Sequence, residues 1–177
     1  PLTDASLLLR SLIRSIIGQQ LSIQASATIF ARFENIILNN SEISDKQIAS
    51  KIIETSVRKF QKIGISKNKH YTLHQLSKFV LSDTLQLSQL PYMSDTAIVE
   101  KLIQIKGIGR WTVEMLLIFT LARPDVIPIS DLGLRKALQK IDSLQEIPTV
   151  EWVYERTQIW SPWRSIGTWY AWKAVTS

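Results

Sequence analysis

The sequence predicts an all-α protein. Apolar residues recur three and four positions apart along several segments, and capping side chains stand before most of those segments. No long stretch alternates apolar and polar residues with a period of two. With 177 residues and 45% hydrophobic content, the chain is long enough for one full domain or for two small lobes that share a cleft.

The N-terminal third is expected to contain three helices. The first two are predicted over residues 6–17 and 22–38, and the sequence Gly18-Gln19-Gln20 interrupts them. Two glutamines at such a break can serve only to solvate exposed backbone groups, so a functional role stays one of two alternatives. Ser44 and Gln47 have the spacing of a capping box and begin a third helix that ends near residue 53.

A basic segment follows, with helices predicted over residues 58–63 and 66–81. His70 and His74 stand four residues apart there, which is a metal-ligand spacing. No carboxylate or thiol accompanies them, so we expect a solvated helix face rather than a metal site.

A short glycine turn joins the next two helices. Ser94 caps the helix that leads into Lys106-Gly107-Ile108-Gly109-Arg110-Trp111, and the apolar run 112–119 leaves it. Glycine permits a positive φ and has no Cβ, and the turn exposes backbone N–H groups at the start of the following helix. Such a turn fits a phosphate, although a tight turn can also need glycine for its conformation alone.

The C-terminal third continues the helical pattern. Pro124 ends the preceding helix, and residues 126–129 are expected to be extended. Asp131 has the position of a helix cap before residues 132–141. Another helix is predicted over residues 149–159, and Ser161 with Pro162 is expected to begin the last one as N-cap and first helical residue.

Five of the six tryptophans follow residue 151. Aromatic residues at helical spacing usually belong to a core, and we expect this of Trp152 and Trp160.

Composition excludes several classes of chemistry. The chain has no cysteine, which removes disulfides, thiolate catalysis and cysteine-ligated zinc or iron–sulfur sites. The net charge of +6 favours polyanionic partners. No apolar run approaches the roughly 18 residues of a membrane span, so we expect an intracellular protein without membrane contact. Because Pro1 is not a natural start, we expect residues to precede it.

Four blocks of the chain resemble one family. Residues 102–115 resemble the helix-hairpin-helix of the HhH-GPD DNA glycosylase superfamily, and residues 128–138 are similar to its loop with the catalytic aspartate. Residues 12–22 and 160–172 resemble the branch of the type II 3-methyladenine DNA glycosylases. Order and spacing agree, which implies that residues 1–177 form one such domain with two helical lobes around a cleft.

The resemblance implies hydrolysis of the N-glycosidic bond of alkylated purines, such as 3-methyladenine and 7-methylguanine, in duplex DNA. Asp131 corresponds to the catalytic carboxylate, which stabilises positive charge on the sugar and orients the attacking water. Trp111 and Trp172 are candidates for a stacking platform in the pocket of the flipped base. Trp111 also occupies the position of the Schiff-base lysine in the bifunctional branch, so we expect no strand-nicking (AP-lyase) activity.

The same resemblance implies the DNA contacts. Gln20 matches the residue that fills the gap left by the extruded nucleotide, with Gln19 or Leu21 able to share that role. In the family, the hairpin holds backbone phosphates, and its carbonyls hold a sodium or potassium ion. The corresponding phosphate-binding residues are Lys106, Gly107, Gly109, Arg110 and Thr112, and the corresponding carbonyls belong to Ile103, Ile105 and Ile108.

Alternatives remain open at this point. The same fold could act on another damaged base, such as uracil or hypoxanthine, or the chain could be a DNA-binding module without chemistry. A helical scaffold protein is a third alternative, and it predicts no salt-dependent affinity for DNA. We expect a monomer that requires no cofactor beyond the hairpin ion and that is cytoplasmic if bacterial or nuclear if eukaryotic.

Overall fold

The computed structural model describes residues 6–40 and 43–176. Within those ranges the chain forms α-helices, two short 3-10 helices and turns, and no strand. The prediction of an all-helical protein is therefore confirmed. The chain divides into two compact units, one up to Leu116 and one from Leu117 onward.

The first unit is built from helices that begin at short polar caps. Ser22, Ser44, Ser66 and Ser94 each accept a hydrogen bond from a backbone N–H of the helix that follows. The elements are α1 (Ser6–Gly18), α2 (Ile23–Ile36), α3 (Asp45–Glu54), α4 (Val57–Lys62), α5 (Lys67–Leu81), a 3-10 helix (Leu87–Tyr92), α6 (Asp95–Leu102) and α7 (Arg110–Phe119), which continues into the second unit.

Helix α1 supplies much of the core of the first unit. Six of its apolar side chains are fully buried: Leu8, Leu9, Leu12, Ile13, Ile16 and Ile17. Burying a side chain of this size contributes about 1.5–3 kcal/mol each. This packing fixes the C-terminal end of α1, where the glutamines follow.

The histidine pair does not form the solvated face that the sequence predicted. His70 is half-buried, and its ring meets the buried Phe60 ring edge-on at 4.7 Å between centroids. Burial lowers the pKa of His70, because desolvation disfavours the charged imidazole. The error has a simple cause: His70 lies three and seven residues before Leu73 and Ser77, and it therefore shares their inward face.

The second unit has its own core. Its elements after α7 are α8 (Leu132–Ile141), α9 (Val150–Thr157), a 3-10 helix (Gln158–Trp160) and α10 (Arg164–Thr176). Leu134, Ala137, Leu138, Val153 and Ala171 form a buried cluster, and Trp152 and Trp160 pack against it, as expected from the sequence. Within the described ranges, none of the helices combines the length and the apolar composition that a membrane span requires.

The last helix begins later than predicted. Ser161 and Pro162 lie outside α10, which starts at Arg164. The reason is a distant partner: the Asp125 carboxylate accepts hydrogen bonds from the Ser161 hydroxyl at 3.1 Å and from the Arg164 backbone N–H at 3.2 Å. A local capping pattern does not show such contacts, since Asp125 lies 36 residues before Ser161 and 39 residues before Arg164.

Candidate functional site

The hairpin in the first unit is a short turn between two helices. α6 ends at Leu102, and α7 begins at Arg110. The side chains of Ile105 and Ile108 are buried, and the Ile108 N–H donates to the Ile105 carbonyl at 2.9 Å. The turn is thereby anchored through its apolar side chains, while Lys106, Gly107 and Gly109 are exposed.

Glycine is needed at the two hairpin positions for different physical reasons. Gly107 has a φ of +95°, and a Cβ there would lie 1.9 Å from the Thr72 hydroxyl oxygen on α5. Gly109 has no positive φ, contrary to the simplest expectation for a turn glycine, and a Cβ there would meet nothing within 4 Å. The fold requires glycine at position 107, whereas the absence of a side chain at position 109 allows a ligand to approach the backbone closely.

Residues 19–21, named here the glutamine loop, are attached to the hairpin. The Gln19 carboxamide donates to the Gly107 carbonyl at 3.1 Å and to the Thr112 hydroxyl at 3.0 Å. Gln20 is exposed with a φ of 58°, and Leu21 is also exposed. The structure thus leaves Gln20 and Leu21 open to solvent, while Gln19 and the buried Thr112 bind each other.

The basic hairpin residues are held by neighbours in the first unit. The Arg110 Nε donates to the buried Glu114 carboxylate at 2.9 Å, with most of the arginine side chain exposed. The Lys106 ammonium lies 5.7 Å from the centre of the Tyr71 ring. Both cations are presented at the surface beside the glycines, and Trp111 lies half-buried at the start of α7.

The donor set at the hairpin suits a monovalent cation. The predicted ligands are the neutral carbonyl oxygens of Ile103, Ile105 and Ile108. The Ile105 carbonyl already accepts from Ile108, and its second lone pair is available for an ion. The ion itself stays a prediction.

In the second unit, Asp131 caps α8. Its Oδ1 accepts from the Leu134 backbone N–H at 2.6 Å and from the Trp172 indole N–H at 2.9 Å. A Cβ on Gly133 would lie 3.0 Å from that oxygen and 3.3 Å from the indole nitrogen, so the glycine permits this close approach. The carboxylate is half-buried and fixed in orientation by two donors.

Phe119 is a neighbour of this carboxylate site that the sequence did not single out. Its ring stacks on Trp172 with centroids 5.7 Å apart and planes 17° apart, and 59% of the residue is exposed. In the sequence, Phe119 was only the last apolar residue of a helical run. The signal available in the sequence was an aromatic residue at the predicted end of a helix.

The backbone before Asp131 is fastened to the start of α10. Arg164 donates to both carboxylate oxygens of Asp125 at 2.7 Å, and this hydrogen-bonded cation lowers the pKa of Asp125 to about 2. The Ser165 hydroxyl accepts from the Val126 N–H at 2.9 Å and donates to the Arg123 carbonyl at 2.7 Å. Residues 123–126 precede Asp131 in the chain, and α10 carries Trp172. These contacts therefore help to fix the position of Trp172 relative to Asp131.

The match to a family model decides the relationship. Residues 13–162 match the HhH-GPD superfamily base excision DNA repair protein. The chain belongs to this superfamily. The family predicted from the four sequence blocks is confirmed, and an HhH-GPD domain accounts for both the hairpin and the helical fold.

Individual relatives agree with this HhH-GPD assignment. The chain is 36% identical over 163 residues to DNA-3-methyladenine glycosylase 1 of Schizosaccharomyces pombe, covering 92% of this chain and 70% of that protein. It is 31% identical to the putative DNA-3-methyladenine glycosylase YfjP of Bacillus subtilis, over 93% of this chain and 58% of the relative. The chain therefore spans little more than half of that second protein.

A solved structure of an HhH-GPD relative has the same fold. The Schizosaccharomyces pombe 3-methyladenine DNA glycosylase in complex with abasic DNA superposes with a TM-score of 0.89 at 34% identity. The match covers 96% of this chain and 81% of that one. The roles of the individual site residues stay predictions.

Proposed function

We propose that this chain is a DNA glycosylase that hydrolyses the N-glycosidic bond of alkylated purines in duplex DNA and thereby begins base excision repair. The observation that carries the proposal is the Asp131 carboxylate, held at Oδ1 by the Trp172 indole N–H and by a backbone N–H. The relatives named for 3-methyladenine support the substrate class.

The chemistry requires a fixed negative group. When the bond from C1′ to the base breaks, its electron pair leaves with the base, and positive charge develops on the sugar. A carboxylate that is already oriented stabilises this charge without reorganisation, and it orients the water that adds to C1′. The water oxygen bonds to C1′, one water proton passes by way of the carboxylate to solvent, and the products are the neutral free base and an abasic site.

The aromatic pair beside the carboxylate suits the proposed substrate. Alkylation of a ring nitrogen makes a purine cationic, and an electron-rich ring attracts a cation. Trp172 is fixed by its indole N–H and stacks on Phe119, so its ring orientation is set before the substrate arrives. A cationic base also leaves readily, so little acid catalysis is needed.

The proposed reaction is monofunctional. Trp111 occupies the position at which bifunctional members of the superfamily carry a lysine, and an indole forms no Schiff base. Treating the reaction products with hot alkali tests this proposal. Strand breaks should appear only after the treatment, and breaks without alkali would contradict it.

We further propose that the chain acts as a monomer, which size-exclusion chromatography with and without DNA checks.

Asp131→Asn tests the catalytic assignment. The asparagine side-chain oxygen still accepts from Leu134 and Trp172, so the variant removes the charge and keeps the cap. We expect the release of free 3-methyladenine from methylated duplex DNA, measured by chromatography, to fall about 10²–10³-fold. The unfolding free energy should change by less than about 1 kcal/mol, because asparagine caps a helix about as well as aspartate and only the interaction of the charge with the helix dipole is lost.

Asp83→Asn is the matched control, because it removes an exposed carboxylate that pairs with Lys46 in the first unit. It should release base at the wild-type rate. Unchanged excision by Asp131→Asn would show that the catalytic assignment is wrong. Wild-type protein that binds abasic DNA yet releases no base would instead identify a binding module.

A further inference from the structure

Lys69 makes a contact that its neighbours in the basic segment do not share. Its ammonium nitrogen lies 2.7 Å from the carbonyl oxygen of Ile17 and 2.7 Å from that of Gln19. The Ile17 carbonyl belongs to the last turn of α1, where the final C=O groups have no partner within the helix and where a cation is favoured, and the Gln19 carbonyl follows that helix directly. One side chain thus joins the start of α5 to the glutamine loop.

Gln19 is held from both sides. Its carbonyl binds Lys69, and its carboxamide binds the Gly107 carbonyl and the Thr112 hydroxyl of the hairpin. The next residue, Gln20, is exposed with a φ of 58°, which is unfavourable for a residue other than glycine. Such a conformation persists only where the neighbouring structure enforces it.

α5 also supports the hairpin itself. Thr72 follows Lys69 by three residues on the same face of the helix, and the Gly107 backbone packs directly on it. The same helix therefore positions both the glutamine loop and the hairpin. Their separation is set within the first unit before any DNA is bound.

We infer that Lys69 is a positioning residue for recognition of damaged DNA: it holds the glutamine loop so that Gln20 enters the duplex while the hairpin binds the strand. This inference rests on the proposed function. The ammonium is engaged by two carbonyls rather than presented to phosphates. Lys69 therefore contributes to the preference for a damaged site and little to general affinity for DNA.

Burial agrees with this assignment. Desolvation lowers the pKa of Lys69, because removing an ammonium from water disfavours its charged form. The exposed Lys67, two residues earlier, lies on the solvent side of the same helix. The pair provides a matched comparison between a lysine bound to the loop and a lysine at the surface.

The test measures affinity for a duplex with a tetrahydrofuran abasic analogue and for the same duplex without it. Lys69→Met should lower the ratio of the two affinities about tenfold, and the affinity for the undamaged duplex should change less than about twofold. Lys69→Arg, which can donate to both carbonyls, should restore most of the ratio. Lys67→Met should leave the ratio unchanged.

A second background tests whether Lys69 acts through Gln20. In a Gln20→Ala protein, adding Lys69→Met should lower the ratio by less than about twofold, because the residue being positioned is gone. If Lys69→Met keeps its full effect in that background, the inference is overturned. The same holds if it weakens binding to both duplexes equally and flattens the salt dependence, since Lys69 would then be a phosphate contact.

Folding and catalysis are followed separately. If Lys69→Met shows no cooperative thermal unfolding, Lys69→Gln replaces it, because its shorter neutral side chain is polar but does not reach both carbonyls. A reduced ratio for this variant supports the inference, and a wild-type ratio overturns it. A wild-type protein without preference for the abasic duplex overturns it as well. Failure of the wild type to release alkylated purines would count against the proposed function, while the affinity ratio still tests Lys69.

Discussion

At the scale of single residues, glycine has different structural roles at different positions of this chain. Gly107 and Gly109 stand two positions apart, yet only Gly107 has a positive φ and touches a neighbouring helix. Gly133 admits the Trp172 indole to Asp131. A glycine in a functional motif therefore has to be assigned to conformation, packing or ligand access by its own surroundings.

Alanine substitutions should separate the two hairpin glycines. Gly107→Ala should destabilise the fold by about 2–4 kcal/mol, because it adds backbone strain and a clash with Thr72. Gly109→Ala should change stability by less than about 0.5 kcal/mol. It should nevertheless weaken binding to an abasic duplex about tenfold, since the methyl group fills the space proposed for a phosphate. Urea unfolding and fluorescence anisotropy measure the two effects.

A double variant checks the cause of the first effect. Thr72→Ala removes the atom nearest to the added Cβ, and it should recover part of the stability lost in Gly107→Ala. The rest of the lost stability should remain, because an alanine at position 107 is still strained by the positive φ. If Gly109→Ala binds the duplex as well as wild type, Gly109 does not contact DNA.

At the scale of elements, local patterns predicted most helix starts. Ser44, Ser66, Ser94, Asp131 and Thr149 were each expected to begin a helix, and each accepts a backbone hydrogen bond at its helix terminus. Capping is a contact across three residues, so it can be read from a short string. The blocks that resemble the family likewise identified Asp131 and the hairpin.

The features missed from sequence depend on distant partners. Asp125 and Arg164 lie 39 residues apart, and Lys69 and Gln19 lie 50 apart. Nothing in either local string shows the other. The helical periodicity of α5 gave one usable indication of the Lys69 contact. Lys69 precedes the buried Leu73 and Leu76 by four and seven residues, so it lies on the same face of the helix. A lysine in that phase is a candidate for an internal contact.

The Asp125–Arg164 pair predicts a pH effect on the second unit. The pKa of Asp125 is about 2 in the folded chain, below its usual 3.8, so the unfolded chain binds the proton more readily. The pair therefore stabilises the fold fully above pH 3.8, and this contribution is lost as the pH falls from there through about 2. With the side chains partly exposed and screened by solvent, we expect about 1–2 kcal/mol.

Asp125→Asn measures this contribution. The difference in unfolding free energy between wild type and variant should be largest at pH 6 and should shrink by pH 3, measured by urea unfolding at each pH. Asp83→Asn, which breaks an exposed pair with Lys46, serves as control and should show a difference near zero throughout. A difference for Asp125→Asn that does not change with pH would contradict the assignment.

At the scale of the whole molecule, the net charge and the positions of individual cations predict different salt dependences of DNA binding. The chain carries a net charge of +6, and a general attraction to DNA follows from that number alone. Lys106 and Arg110 are instead presented at one turn beside the bare backbone of Gly109. Only cations that neutralise phosphates release counterions, so the salt dependence of binding distinguishes the two.

Lys106→Gln and Arg110→Gln should each reduce the slope of log K against log salt by about one unit, because each removes one phosphate contact. Lys46→Gln lowers the net charge equally, but Lys46 lies on α3 and pairs with Asp83, outside the hairpin, so the slope should stay at the wild-type value. Titrations of an abasic duplex at four salt concentrations give these slopes. If all three variants flatten the slope alike, net charge rather than the hairpin governs binding, and the phosphate assignments of Lys106 and Arg110 are wrong.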